Sequence, residues 1–124
     1  MPTQREIFRE RTKRFAFRII HRFRALPGTA EAQIIGKQLL RAGTSVAANY
    51  RAVGRARSRA EFIAKLGVVL EEADETIFWL ECLQETEIIK PARLTPLLAE
   101  ANELVKIFAA ARRTIRQKAD FKGE

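Results

Sequence analysis

The residues able to do acid, base or nucleophilic chemistry are few and poorly spaced for it. His21 is the single histidine and Cys82 the single cysteine, so a histidine dyad or a metal cluster would need carboxylates gathered from distant parts of the chain. The densest carboxylate group is Glu71, Glu72, Asp74 and Glu75. A di-iron centre in a helical bundle uses Glu-Xaa-Xaa-His on paired helices, and that motif does not occur, so the acidic run reads as a solvated or pairing face. Gly43-Thr44-Ser45 and the stretch from Gly54 to Ser58 both lack the Gly-four-Xaa-Gly-Lys-Ser/Thr spacing of a phosphate loop, and neither follows a strand. No catalytic, metal or cofactor site is expected, and the chain reads as non-enzymatic.

Positive charge is what the sequence does concentrate. Its 23 Lys and Arg against 15 Asp and Glu give a formal charge of +8, which favours nucleic acid, an anionic surface or an acidic protein as partner. Arg11, Arg14, Arg18 and Arg22 fall within an arc of roughly 80° at helical spacing. Arg51, Arg55, Arg57 and Arg59 form a second cluster, and Arg112, Arg113, Arg116 and Lys118 a third. The first two clusters are the candidate contacts to RNA or DNA backbone, which would be held through phosphate without base readout. Tyr50, beside Arg51, is the one aromatic placed to stack on a base. An acidic protein bound to an oligomeric scaffold is the alternative.

Residues 66–89 contain seven acids and no Lys or Arg. Glu71, Asp74, Glu81 and Glu85 share one helical arc with Phe78 inside it, whereas Phe17 lies outside the apolar arc of its own segment. Aromatic side chains beside stripes of opposite sign suit subunit contacts. Phe17, Asp74, Phe78, Trp79 and Glu81 are therefore the candidate oligomer interface, and Trp79 and Cys82 read equally well as core.

Four amphipathic segments must position these residues. The first, roughly 4–25, aligns Phe8, Phe15, Ala16, Ile19, Ile20 and Phe23. "LPGT" ends it, with Gly28 suited to a left-handed position and Thr29 to a helix cap. The second, roughly 30–54, carries Ile35, Leu39, Ala42, Val46, Asn49, Tyr50 and Val53. "SRAE" is a capping box in which the Ser58 hydroxyl accepts from the Glu61 amide and the Glu61 carboxylate reaches back to the Ser58 amide. The third helix, roughly 59–86, repeats Phe62, Leu66, Val69, Ala73, Thr76, Leu80 and Leu83. The fourth is expected to start at Thr95 and Pro96, with Pro91 as an earlier alternative. It repeats Leu97, Ala101, Leu104, Phe108, Ala111 and Ile115. Fraying is expected past about Arg116.

Short turns between such helices predict an all-α antiparallel up-down-up-down four-helix bundle, one domain over 1–124 with its core at about 4–117. Ala42, Gly43, Ser45, Ala47 and Ala48 fit a close helix–helix approach, since an interior glycine costs about 1 kcal/mol against alanine. The start of the chain lacks the apolar run of a signal peptide. A cytoplasmic protein without a membrane association is expected.

"RAGTSVAANYRAVGRARSRAEF" followed by "KLGVVLEEADETIFWLECL" resembles the four-helix-bundle proteins named for intervening sequences in 23S ribosomal RNA. Their pattern runs Arg-Ala-Xaa-Thr-Ser-Ile-Ala-Ala-Asn, a basic turn, Ser-Xaa-Xaa-Glu-Phe and an acidic helix. Those positions are here Arg41 to Asn49, Arg55 to Arg59, Ser58 to Phe62, and Glu71 to Glu75. The resemblance covers roughly residues 8–115; Ala52, Val53 and Gly54 stand where many members carry Glu-Gly soon after the Asn. It implies a bundle that assembles into homopentamers. Relatives include the accessory protein of diversity-generating retroelements, a basic pentamer that binds nucleic acid and a reverse transcriptase.

Overall fold

In the computed structural model, which describes residues 1–123 with side chains through Lys118, four helices follow one another without a strand among the described residues. They are α1 (Gln4–Arg24), α2 (Ala30–Val53), α3 (Arg59–Glu85) and α4 (Pro91–Gly123). Each helix packs mainly on the next, and α1 and α4 close the bundle with a much thinner contact. Because α1 touches α2 and α4 but not α3, α1 and α3 stand diagonally opposite. The architecture is the expected four-helix bundle.

The core follows the helical period. Phe15, Ile19, Leu39, Val46, Leu66, Val69, Leu80, Leu83, Leu94 and Leu104 are almost wholly buried, and each such side chain contributes about 1.5–3 kcal/mol of transfer free energy. Two threonines are buried among them. The hydroxyls of Thr12 and Thr76 donate back to the Phe8 and Glu72 carbonyls at 2.7 Å, which satisfies each polar group inside its own helix. Gly43 answers the small-residue pattern of α2: a Cβ there would lie 2.7 Å from Ile19 Cγ1, so α1 and α2 meet at a distance that only glycine allows.

Helix ends depart from expectation in four places. Gly28 has no positive φ; α1 stops in an ordinary right-handed Ala25 cap whose amide bonds to Arg22. Thr29 occupies the α2 N-cap position without a side-chain cap bond. The Ser58 hydroxyl does accept from the Glu61 amide at 3.0 Å, but the Glu61 carboxylate lies 3.9 Å from Lys65 instead of returning to the Ser58 amide. Finally, α4 starts at Pro91. Starting one turn and a half before Pro96 places Leu94 in the core with Leu97 and Ala101, and Thr95 is then an interior residue whose hydroxyl donates to the Pro91 carbonyl at 3.2 Å.

The α3–α4 turn owes its shape to Glu87, whose φ of 58° is left-handed. This reversal lets the Ile89 amide reach back to the Leu83 carbonyl at 3.3 Å and buries Ile89. At the other end α4 passes Arg116, where fraying was expected, and continues to Gly123. No proline or glycine interrupts the chain between those residues, so no local breaker ends the helix there.

Candidate nucleic-acid interface

Antiparallel packing brings the start of α1, the α2–α3 turn and the last described turns of α4 to one end of the bundle. Arg51 lies in the final turn of α2, Arg55 and Arg57 in the turn, and Arg59 at the first position of α3; all four are exposed. The structure thus gathers this sequence-predicted cluster. None of the four pairs with a carboxylate among the described residues.

Neighbouring elements enlarge it. Arg9 and Lys13 of α1 border a hollow of about 380 Å³ with Arg51, Glu6 and Glu10. Arg5 and Arg59 share a second hollow of about 250 Å³ with Ser58, Phe62 and Ile115 of α4. Arg113 and Arg116 line a third of about 420 Å³ along α4. Arg5 and Arg9 were missed from sequence because they lie outside the α1 arginine arc; only the meeting of α1 with the α2–α3 turn makes them part of the cluster.

The α1 stripe divides. Arg14 and Arg18 are exposed, Arg14 standing 3.4 Å from Glu10 in an i,i+4 pair. Arg11 turns instead into the seam with α4. Its Nε and Nη2 donate to Glu100 at 2.8 and 2.7 Å, and Nη2 also donates to Glu103 at 2.8 Å. These hydrogen bonds, Glu100 foremost, hold the guanidinium pKa above its ordinary value. Arg22 donates to the Arg93 carbonyl at 3.1 Å across the same seam. Arg11 and Arg22 are consequently fasteners between helices, and the four-residue phosphate stripe reduces to Arg14 and Arg18. Arg112, in the third basic cluster, is likewise engaged: it donates to the Ile63 carbonyl at 3.1 Å and lies over Gly67, where a Cβ would come within 3.2 Å.

Tyr50 is not an open stacking platform. Its ring stacks on Phe108 with centroids 5.1 Å apart, and burial pushes its hydroxyl pKa up against the opposing pull of Arg5.

The candidate interface residues separate in the same way. Asp74, Phe78 and Glu81 line the outward face of α3 together with Glu71 and Glu85, all exposed; Phe78 is 54% exposed. Phe17, 49% exposed, stands on the outward face of α1 with Lys13 Nζ 5.9 Å from its ring centre. Trp79 is half-buried and its indole N–H donates to Glu75 at 3.0 Å, while Glu75 and Glu72 pair with Arg41 of α2. Trp79 therefore belongs chiefly to the α2–α3 joint. Cys82 is partly exposed, and among the described residues no three metal-ligating side chains come together. Among the described residues no helix is long and apolar enough to cross a membrane.

This fold has a counterpart among solved structures, and the sequence matches a known family. The family model of the 23S rRNA-intervening sequence protein matches residues 6–110. The chain belongs to that family. The 23S rRNA-intervening sequence fold also appears in a crystal structure from Bacteroides thetaiotaomicron, described as a protein with unknown function from the S23 ribosomal protein family. It is 33% identical to this chain, with a TM-score of 0.82 over 90% of this chain and 99% of that one. Comparison with curated proteins found no match.

Proposed function

We propose that the chain is a non-enzymatic, cytoplasmic protein that assembles into a homo-oligomeric ring and holds RNA or DNA backbone on its basic bundle ends without reading sequence. One observation carries the binding half: Arg51, Arg55, Arg57 and Arg59 stand exposed and without carboxylate partners among the described residues, and Arg5 and Arg9 extend the same end. So many unneutralised guanidinium groups in one place attract a polyanion and release its counterions.

The assembly half rests on the diagonal placement of α1 and α3. The basic face of α1, with Arg14, Phe17 and Arg18, and the acidic face of α3, with Asp74, Phe78 and Glu81, point away from each other. Opposed complementary faces make a head-to-tail contact, which closes into a ring when the rotation allows. A ring of five is the size that the family resemblance supports. An oligomeric scaffold for an acidic protein is the second reading, favoured by the same basic end.

The test is to purify the protein free of nucleic acid, determine its mass in solution, and titrate RNA and DNA at two salt concentrations. Affinity should fall with a log-log slope of about −0.9 per neutralised phosphate on duplex DNA and change little with sequence. Replacing Arg55, Arg57 and Arg59 with Gln should flatten that slope by several units while Ser58 and Glu61 keep the α3 cap. Absence of association even at about 50 mM salt would transfer the case to the protein-scaffold reading.

A further inference from the structure

A hollow of about 560 Å³ opens at the basic end between the four helices, with Gln4 and Arg5 at its margin. Val53, Leu66 and Phe108, each no more than 4% exposed, form its floor. Phe8, Tyr50 and Phe62 stand half-buried around it. It lies where α1 and α4 approach each other little, and Phe8 of α1 reaches across to meet Phe108 edge-on with ring centroids 5.6 Å apart. Its size lies within the range of roughly 300–1,000 Å³ usual for small-molecule sites.

The chemistry of the opening is one-sided. Arg5 has no carboxylate partner among the described residues, and its stem is laid along Gly54, where an added Cβ would stand 3.2 Å from Arg5 Cδ. Arg59 borders the adjoining hollow that shares Arg5, Val53 and Phe62. An apolar chamber beneath a guanidinium group matches a molecule with an apolar body and a single anionic head. A nucleobase suits it less well, since Phe108 already covers one face of Tyr50 and the floor offers no hydrogen-bonding side chain. We propose that this hollow binds a medium-length aliphatic carboxylate, its chain among Phe8, Phe62 and Ile107 and its carboxylate on Arg5. This site does not depend on nucleic-acid binding at the surrounding arginines.

Calorimetric titration of the whole protein with hexanoate, octanoate, decanoate, dodecanoate and decanol, all below their micellar concentrations, tests it. Affinity should rise about fourfold for each added methylene until the hollow is full. Arg5→Gln should weaken decanoate about tenfold and leave decanol unchanged. Ala111→Trp, at an exposed lining position, should abolish binding of both while circular dichroism and Tm stay the same. Affinity independent of chain length, binding indifferent to Ala111→Trp, or no saturation by decanoate would each overturn the proposal. So would nucleoside binding that Ala111→Trp blocks while decanoate fails to bind, an outcome that assigns the hollow to an unpaired base.

Discussion

Gly43 and Gly36 look alike in sequence and differ in what stands opposite them. A Cβ on Gly43 meets Ile19, a β-branched side chain with no exposure, at Cγ1, Cγ2 and Cβ, whereas on Gly36 it meets the terminal carbon of Leu26, the movable end of a side chain unbranched at Cβ, and the edge of the Phe23 ring at 3.2 Å. Overpacking costs about 1–3 kcal/mol and the helical gain of alanine is about 1 kcal/mol. Gly43→Ala should therefore destabilise by about 1 kcal/mol net, and Gly36→Ala should destabilise less, because a terminal methyl yields more easily than a β-branched stem; urea denaturation of the two variants measures the contrast. An unchanged or raised midpoint for Gly43→Ala would mean that Ile19 yields. Cys82 gives a second residue-scale outcome. Burial, then Glu81 and Glu85, push its thiol pKa above the ordinary 9.0, so the folded state holds the proton more tightly than the unfolded one. That contribution to stability is complete below pH 9 and declines as pH rises through and beyond it. Alkylation by iodoacetamide at pH 8 should be slower than for the denatured chain, because thiolate is the nucleophile. Equal rates in the two states would contradict the shift.

Caps decide where elements begin, and the two candidate caps of similar appearance have unequal weight. The Ser58 hydroxyl accepts the Glu61 amide, and Thr29 makes no such bond. Ser58→Ala should cost about 1 kcal/mol, and Thr29→Ala clearly less, both read from thermal unfolding. Comparable losses would show that Thr29 caps in solution. Local signals of this kind made the helices legible: the three- and four-residue spacing of Leu66, Val69, Ala73, Thr76, Leu80 and Leu83 located α3 and its buried face. The α3–α4 turn was less legible because two prolines competed for one helix start. Burial of Leu94 decided for Pro91, and that burial comes from tertiary packing. A left-handed Glu87 carries no local signature at all.

At the scale of the molecule, charge is legible and its engagement is not. Arg11 and Arg14 differ little in local sequence, yet Arg11 finds its carboxylates 89 and 92 positions away and Arg14 finds one four residues away. The α2–α3 cluster, by contrast, was legible because a polar turn between two helices has nowhere to go but outward. If the α3 and α1 faces meet between copies, Asp74→Lys with Glu81→Lys should lower the mass in solution, and so should Arg14→Glu with Arg18→Glu. Mixing the two variants should restore assembly by alternation, since the unchanged faces pair at one contact and the two reversed faces at the next. Sedimentation of each variant and of the mixture reads this, and unchanged assembly in both variants would place the interface elsewhere. The thin α1–α4 seam bears on how the bundle is built as well as on how it is held. Since each helix packs mainly on its sequence neighbour, hairpins can form and zip together at small loop-closure cost. Only the joining of first helix to last closes a long span, so that step comes late. Arg11→Met should therefore speed unfolding several-fold and leave the refolding rate nearly untouched, which stopped-flow measurement of both chevron arms reads directly. A slowed refolding arm would mean that the seam forms first, and that the chain closes its ring of helices before zipping them.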